Sequence, residues 1–176
     1  MTLIEDLFTS QDYHQALESI EWDPLRETDS LEDTQLLDSR LCPTANRAAL
    51  LFDMRTAMYH PTGNAGLLVI RGLQSFHWSG AAQTLDLMAF TAVSSRPSAA
   101  DGGFRLGLDF FPDGNLSVSG EHADFYLLEA HALPEAPPNY TDRHLEQVRY
   151  GLPRWDSECT VLQSSTSARS EETTPQ

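Results

Sequence analysis

The central part of the chain alternates between apolar and polar residues with a period of two, which is typical of β-strands. Residues 47–60 form one such run and predict a half-buried strand. Its apolar face carries Leu50, Phe52, Met54 and Met58, and its opposite face carries Asp53 and Arg55. The turn residues PTGN at 61–64 lead into a second predicted strand over 67–78, where Gly72 predicts a bulge or a bend.

Further strands are predicted on both sides of these two. Residues 34–41 predict a strand after an acidic loop, and the nearly all-apolar 85–93 predicts a central strand that is covered on both faces. Residues 104–110 and 115–120 predict a hairpin joined by Phe111–Gly114. The hairpin is expected to have a type I turn with Pro112 at its second position and a left-handed Gly114. Gly120 is expected to end the return strand, and residues 123–130 to form another.

Helices are predicted only near the two ends of the chain. Thr9 or Ser10 can cap a helix that runs to about Ile20, and Thr141 can cap a short helix that ends at Tyr150. The sequence therefore predicts one α+β domain over residues 1–162. Its antiparallel meander of about six or seven strands is flanked by an N-terminal and a C-terminal helix. From Gln163 the polar composition predicts a disordered tail, residues 163–176.

The charge of the chain is strongly acidic and unevenly spread. There are 26 acidic residues against 11 arginines and no lysine, which gives a net charge of −15. Residues 1–40 alone hold 11 carboxylates and 2 arginines. A field of this sign opposes nucleic-acid binding and favours a basic protein partner, although acidity also serves solubility alone. The absence of lysine is typical of a GC-rich bacterial genome.

The cysteines and apolar runs indicate the compartment. Cys42 and Cys159 are the two cysteines, and they match no metal-binding spacing. The sequence shows no secretory leader and no apolar run long enough to span a membrane, so a cytoplasmic protein with reduced thiols is expected.

The most suggestive polar cluster is Glu121, His122 and Asp124, because imidazole and carboxylate groups together can bind a metal or share a proton. Glu121 points away from the other two in a strand, and solvation of a strand end is the simpler explanation. His77 lies on an apolar strand, where an exposed or hydrogen-bonded role is the ordinary one. No nucleophile, phosphate-binding or histidine motif is present, so no catalytic, cofactor or metal site is predicted.

Aromatic residues beside carboxylates give a second kind of candidate. Trp22 lies in the acidic segment, Tyr140 follows a proline-rich connector, and Trp155 precedes Asp156. Exposed tryptophan and tyrosine side chains often anchor interfaces, and their rings attract cations. We therefore expect a partner-binding surface from this set together with the polar cluster: Trp22, Glu121, His122, Asp124, Tyr140, Trp155 and Asp156. Capping the ends of the sheet core is the alternative role for the aromatics.

Three segments, FFPDGNLSVSGEHADFYLLEA, LPEAPPNY and GLPRWDSE, resemble a family of small uncharacterised actinobacterial proteins. The resemblance covers about residues 47–160. In layout, the strand pair over 50–78 is similar to that of immunity proteins of bacterial polymorphic-toxin systems, small acidic α+β antitoxins that inhibit a cognate toxin by occlusion. The resemblance implies no site residue.

These observations favour a non-enzymatic acidic binding protein, with an immunity-like antitoxin that covers a basic toxin as its specific form. One alternative is a small-molecule or metal-binding protein, or an enzyme, with a pocket on the sheet formed by Glu121, His122, Asp124 or His77. Another is a structural or assembly module that pairs through an edge strand.

Overall fold

The structure is a computed structural model, and it describes residues 1–10, 18–81, 83, 85–99, 101–141 and 144–167. Within these ranges the chain forms one antiparallel sheet of eight strands and two helices of six residues each. The strands are β1 (Thr2–Leu3), β2 (Gln35–Cys42), β3 (Arg47–Asp53), β4 (Ala65–Gly80), β5 (Phe90–Ser98), β6 (Phe104–Phe111), β7 (Gly114–Ala130) and β8 (Glu158–Thr166). The helices are α1 (Ile4–Thr9) and α2 (Leu145–Tyr150), and one turn of 3-10 helix covers Pro43–Ala45.

The sheet closes on itself. Its strand order is β1-β8-β7-β4-β3-β2-β5-β6, and β6 pairs again with β7. Strands β2 to β7 therefore form a closed circuit. Outside this circuit, β8 pairs with the second half of β7, and β1 pairs with β8. The prediction of an antiparallel sheet is confirmed, and the sheet has eight strands.

Strand β7 links the circuit to this extension. Its residues 114–120 pair with β6 on one edge, and residues 124–130 pair with β8 on the same edge. Along the other edge β7 stays paired with β4. Each half of β7 thus has a different neighbour, while one long strand keeps both halves in register.

Two apolar clusters lie on opposite faces of the sheet. The first fills the inside of the circuit and includes Phe52, Ile70 and Phe125. The second covers the outer face of β3, β4, β7 and β8, where α1 and Trp155 pack. Strand β3 was expected to be half-buried with Asp53 exposed, but residues 48–53 are all buried because both faces of the strand are covered.

The bulge predicted near Gly72 is confirmed. Gly72 has a φ of 62°, in the left-handed region, and the β4–β7 register shifts between Leu73 and Ser75. A side chain at position 72 would also collide with Glu121, whose Cγ lies 2.5 Å from the Cβ position. Glycine is thus required there for both conformation and space.

Of the strand predicted over 85–93, only residues 90–93 are in a strand, and the expected coverage on both faces is wrong. Strand β5 begins at Phe90, and the described residues between 85 and 89 are not part of a strand. Within β5, Val93 is 51% exposed, so the strand is not covered on both faces. A short apolar run does not show where its strand lies in a sheet. The strands that are covered on both faces are β3, the first half of β4 and the second half of β7.

The hairpin between β6 and β7 is confirmed, but the predicted left-handed conformation of Gly114 is wrong. The Phe111–Pro112 peptide bond is cis, and Gly114 is not among the residues with positive φ. The predicted break at Gly120 is also wrong, because β7 continues without interruption from Gly114 to Ala130. Gly120 lies opposite the β4 bulge and allows the two backbones to approach closely.

The helices differ from those predicted. The helix expected from Thr9 or Ser10 to Ile20 falls mostly on residues 11–17, which lie outside the described residues. Ser10 is instead the residue that ends α1, and residues 18–20 are not helical. Helix α2 ends at Tyr150 as predicted, and it begins at Leu145. Among the described residues, none of the helices is long and apolar enough to cross a bilayer.

The first residues of the predicted disordered tail, 163–166, are part of a strand instead. They belong to β8, and the Ser167 backbone N–H donates to the Ala123 carbonyl. Residues 168–176 lie outside the described residues.

Candidate functional site

The acidic cluster at Glu121, His122 and Asp124 lies within the long strand β7 and not at a turn. Asp124 forms a largely buried ion pair with Arg71, whose Nε donates to Oδ2 at 2.7 Å. The hydroxyl of Thr166 donates to the other carboxylate oxygen at 2.8 Å. Both oxygens of Asp124 are therefore bound within the fold, which makes this residue a structural anchor between β4, β7 and β8.

The remaining members of the cluster lie in different environments. Glu121 is exposed beside Gly72, and His122 is half-buried opposite Arg71 in the β4–β7 ladder. His77 is exposed near the far end of β4. Over the described ranges, no three His, Cys, Asp or Glu side chains are grouped so that they could hold a metal ion.

Trp22 is the exposed aromatic residue of the predicted set. Its ring stacks on Tyr59 with centroids 4.4 Å apart and planes 22° from parallel. The Trp22 side chain is 40% exposed, and a small depression of about 120 Å³ runs between this pair and residues 60–62. The exposed carboxylates of Glu18 and Glu21 lie next to it in sequence.

Tyr140 is half-buried and does not present its ring as a free surface. Its hydroxyl lies 3.4 Å from Gln35 Oε1, to which it donates. Burial raises the pKa of Tyr140 to about 12, and the nearby Asp53 carboxylate acts in the same direction. This residue joins the connector before α2 to the start of β2.

Trp155 was expected to be an exposed anchor, but it is 8% exposed and belongs to the outer-face cluster. Its indole Nε1 donates to Asp38 Oδ2 at 2.7 Å, and its ring packs against Phe8 at 6.2 Å. The indole is buried because it packs on the apolar outer face of the sheet. The sequence alone does not show which residues cover that face. Asp156 is exposed and accepts from Arg154 Nε at 3.1 Å.

Trp155 and Asp156 do, however, line a cleft of about 590 Å³ on the outer side of the sheet, which we call the Trp155 cleft. Apolar side chains from four parts of the chain line it: Leu37, Leu51, Leu87, Leu152, Pro153 and Trp155. Its charged lining is Glu5, Asp38, Arg40, Arg149, Arg154 and Asp156. The volume falls within the usual range for small-molecule sites.

Two of the three arginines of this cleft, Arg40 and Arg154, are held by aromatic rings. The Arg40 guanidinium lies 4.4 Å above the centre of the Trp155 ring, and that of Arg154 lies 4.9 Å from the Tyr150 ring centre. Arg40 also contacts Glu5 at 3.3 Å. Sequence reasoning missed these arginines because they are far apart in the chain. The one available signal was the three-residue string Arg154-Trp155-Asp156.

A second, smaller cleft of about 220 Å³ opens on the other side of β2. Its lining is mainly apolar and includes Phe76, Trp78 and Phe90, and Trp78 packs edge-on against Phe90 at 5.1 Å. This cleft reaches the cluster inside the circuit and carries few groups that could orient a polar ligand.

The two thiols are free and differ in environment. Cys42 is half-buried at the end of β2, where a hydrogen bond with the Thr44 hydroxyl, 3.5 Å away, lowers the pKa of its thiol. Cys159 is buried in β8. Burial raises its pKa to about 11, with a further contribution from Asp6. Burial is thus the main reason why the thiolate form of Cys159 is disfavoured.

Comparison with known proteins gives one partial likeness. No family model and no curated protein matches the chain. A crystal structure of an uncharacterized protein from Neisseria gonorrhoeae is similar to part of it, with a TM-score of 0.39 and 13% sequence identity. The similarity covers 53% of this chain and 90% of that chain.

Proposed function

We propose that the protein is a non-enzymatic binding protein that recognises a basic protein partner through its acidic N-terminal region. The observation that carries the proposal is the exposed stack of Trp22 on Tyr59 within the most acidic part of the sequence. An immunity-like antitoxin, which covers a basic site of a cognate toxin in the cytoplasm, is the specific form of this proposal. The sequence resemblance described above supports that form.

The stacked pair suits a cationic side chain. Tyr59 holds the Trp22 ring in one orientation, so a partner loses little entropy when it packs against the indole. An arginine or lysine gains from the ring face of tryptophan and from nearby carboxylates together. Glu21, which is exposed and lines the depression beside the stack, supplies such a carboxylate.

The distribution of charge along the chain also supports recognition of a basic partner. Residues 1–40 carry 11 of the 26 acidic residues, which concentrates the negative field on this part of the chain. Such a field raises the association rate with a basic partner and discriminates against acidic ones. Salt at physiological strength weakens exposed contacts of this kind.

The test uses the protein encoded by the adjacent gene, co-expressed with this chain and titrated against it by calorimetry at low and physiological salt. We expect binding that weakens with salt and a loss of at least about tenfold in affinity for Trp22→Ala. Trp78→Ala is the matched control, because Trp78 is equally 40% exposed on a distant strand. No binding, salt-independent binding or equal losses for the two variants would each contradict the proposal.

A further inference from the structure

We propose that the Trp155 cleft binds a small organic anion, a carboxylate with an apolar body. Arg149 and Arg154 hold the carboxylate, and the apolar body lies against Leu51, Leu152 and Trp155. This site is separate from the Trp22 surface and does not depend on the proposed function.

The cleft arginines have hydrogen-bond donors to spare. A guanidinium carries five N–H groups. To other described residues, the guanidinium groups of Arg40 and Arg154 each donate one hydrogen bond, to Glu5 and to Asp156 respectively. The Arg149 side chain is exposed and makes no hydrogen bond or ion pair with another described residue.

Arg55 is a structural arginine of the same chain and serves as a comparison. Its guanidinium donates five hydrogen bonds, two to Asp53 and three to backbone carbonyls. It is buried, with 3% of its side chain exposed. The cleft arginines therefore differ from an arginine whose donors are used up by the fold.

The way in which the cleft arginines are held also preserves their donors. A ring face attracts a guanidinium through its quadrupole and takes no N–H group. Tyr150 orients Arg154, and Trp155 orients Arg40, by such contacts. The result is preorganised cations with free N–H groups, which is the arrangement that binds a carboxylate in a forked geometry.

The carboxylates of the cleft are already engaged. Asp38 accepts from the Trp155 indole and from the Ser39 backbone N–H. Glu5 and Asp156 accept from the arginines named above. Each of these carboxylates thus accepts a hydrogen bond within the protein, whereas Arg149 and the remaining donors of Arg154 are unmatched among the described residues, so an added anion can accept from them.

The size of the cleft and the net charge of the protein indicate which class of anion binds. An apolar lining and a volume of about 590 Å³ call for a ligand with an apolar body of drug-like size or smaller. A net charge of −15 repels a polyanion such as nucleic acid or an acidic protein far more than it repels a single carboxylate. A small monoanion therefore fits the cleft best.

The test uses benzoate, 2-naphthoate, octanoate and decanoate, each beside its neutral primary amide, with binding followed by calorimetry and by NMR. The Trp155 indole N–H resonance reports on the cleft, because this group donates to Asp38 at its wall. We expect at least one carboxylate to bind more tightly than its amide by at least about fivefold and to shift this resonance, leaving those of Trp22 and Trp78 in place.

Substitutions of the cleft arginines test which residues recognise the carboxylate. Arg149→Gln should remove most of the preference for carboxylate over amide, and Arg149→Gln with Arg154→Gln should abolish it. Arg105→Gln is the control, because it makes the same charge change at an exposed position on β6. The proposal is overturned if no carboxylate is preferred to its amide, if the Trp155 resonance does not respond, or if Arg105→Gln has the same effect as Arg149→Gln.

Discussion

Asp53 and Arg55, two residues apart at the end of β3, form a buried bidentate ion pair. Arg55 Nε donates to Oδ1 at 2.9 Å and Nη2 donates to Oδ2 at 2.6 Å. The same guanidinium donates to the carbonyls of Pro134, Ala136 and Gly151. The pair thereby fastens the connector around α2 to the sheet, and the residues that follow Gly151 form one wall of the Trp155 cleft.

Truncation of this arginine should be strongly destabilising. Arg55→Ala leaves the buried Asp53 carboxylate without its counter-ion, with the backbone N–H of residue 55 as a remaining donor, and we expect the free energy of unfolding to fall by about 3–5 kcal/mol. Arg55→Lys should recover only part of this loss, because one ammonium cannot replace five planar donors. Urea denaturation measures the change. Arg105→Ala, at an exposed site, should stay within about 0.5 kcal/mol of the wild type.

Substitutions at Asp124 and Glu121 should change the free energy of unfolding by different amounts, because Asp124 is a structural carboxylate and Glu121 is exposed to solvent. Asp124→Asn removes the charge that Arg71 needs, and we expect a loss of about 2–3 kcal/mol in the free energy of unfolding. Glu121→Gln should change it by less than about 0.5 kcal/mol. Equal effects in thermal or urea denaturation would show that the Arg71 ion pair does not stabilise the fold.

Gly120 should not tolerate a side chain. A Cβ at this position would lie 2.6 Å from Ile70 Cγ2 and 2.8 Å from the Arg71 carbonyl oxygen, and the backbone cannot move without disturbing β4. We expect Gly120→Ala to cost about 1–3 kcal/mol of stability. Gly107→Ala is the matched control in a neighbouring strand, where the nearest contact is 3.4 Å away on the flexible Arg96 side chain. That variant should be neutral or slightly stabilising.

His60 should make stability depend on pH below neutrality. Burial lowers the pKa of His60, although its ring Nε2 lies 3.0 Å from the Ser30 carbonyl oxygen. Because the folded-state pKa lies below the unfolded one, the contribution is full above about pH 6.5 and is lost as pH falls through the folded-state pKa.

His60→Gln should therefore reduce the fall in unfolding free energy between about pH 6.5 and 5, measured by urea denaturation across that range. His77→Gln serves as the control, since His77 is exposed. A pH profile unchanged by His60→Gln would contradict the prediction.

The two thiols should react with iodoacetamide at very different rates. The lowered pKa of Cys42 gives it more thiolate, whereas Cys159 has a pKa raised to about 11 and a buried side chain. Mass spectrometry of the native protein should show alkylation at Cys42 alone, and Cys42→Ser should remain unlabelled until urea unfolds it. Labelling of Cys159 before Cys42 would be the contrary result.

The periodic parts of the fold could be predicted from sequence. The antiparallel sheet, the bulge after Gly72 and the hairpin at Pro112 follow from local alternation and from glycine and proline chemistry, which act over a few residues. The burial of Asp53 and Trp155 could not be predicted, because it depends on which segments cover the outer face. In the sequence, residue 53 falls on the polar face of an alternating pattern, which is typical of an exposed position. Its burial becomes clear only from the fold, in which the connector after Pro134 lies over it.

The candidate site was less predictable than the fold. Trp155 and Asp156 were selected as partner contacts, and both line the cleft, but Arg40 and Arg149 come from distant parts of the chain. The break predicted at Gly120 arose because a glycine beside polar residues is typical of a turn. Here it accommodates the close approach of β4, a contact between residues about 50 positions apart.

The pairing of β1 with β8 has a consequence for how the protein is made. Of the eight strands, β1 leaves the ribosome before all the others and β8 after all of them, yet Thr2 and Leu3 pair with Cys159 and Glu158. The strands of the closed circuit, β2 to β7, can pair before β8 has been synthesised. During that time β1 and α1 lack the C-terminal segment that they contact. The outer face, and with it the Trp155 cleft between Glu5 and Asp156, is therefore completed last, so a nascent chain gains its ligand site only when translation of this region is over.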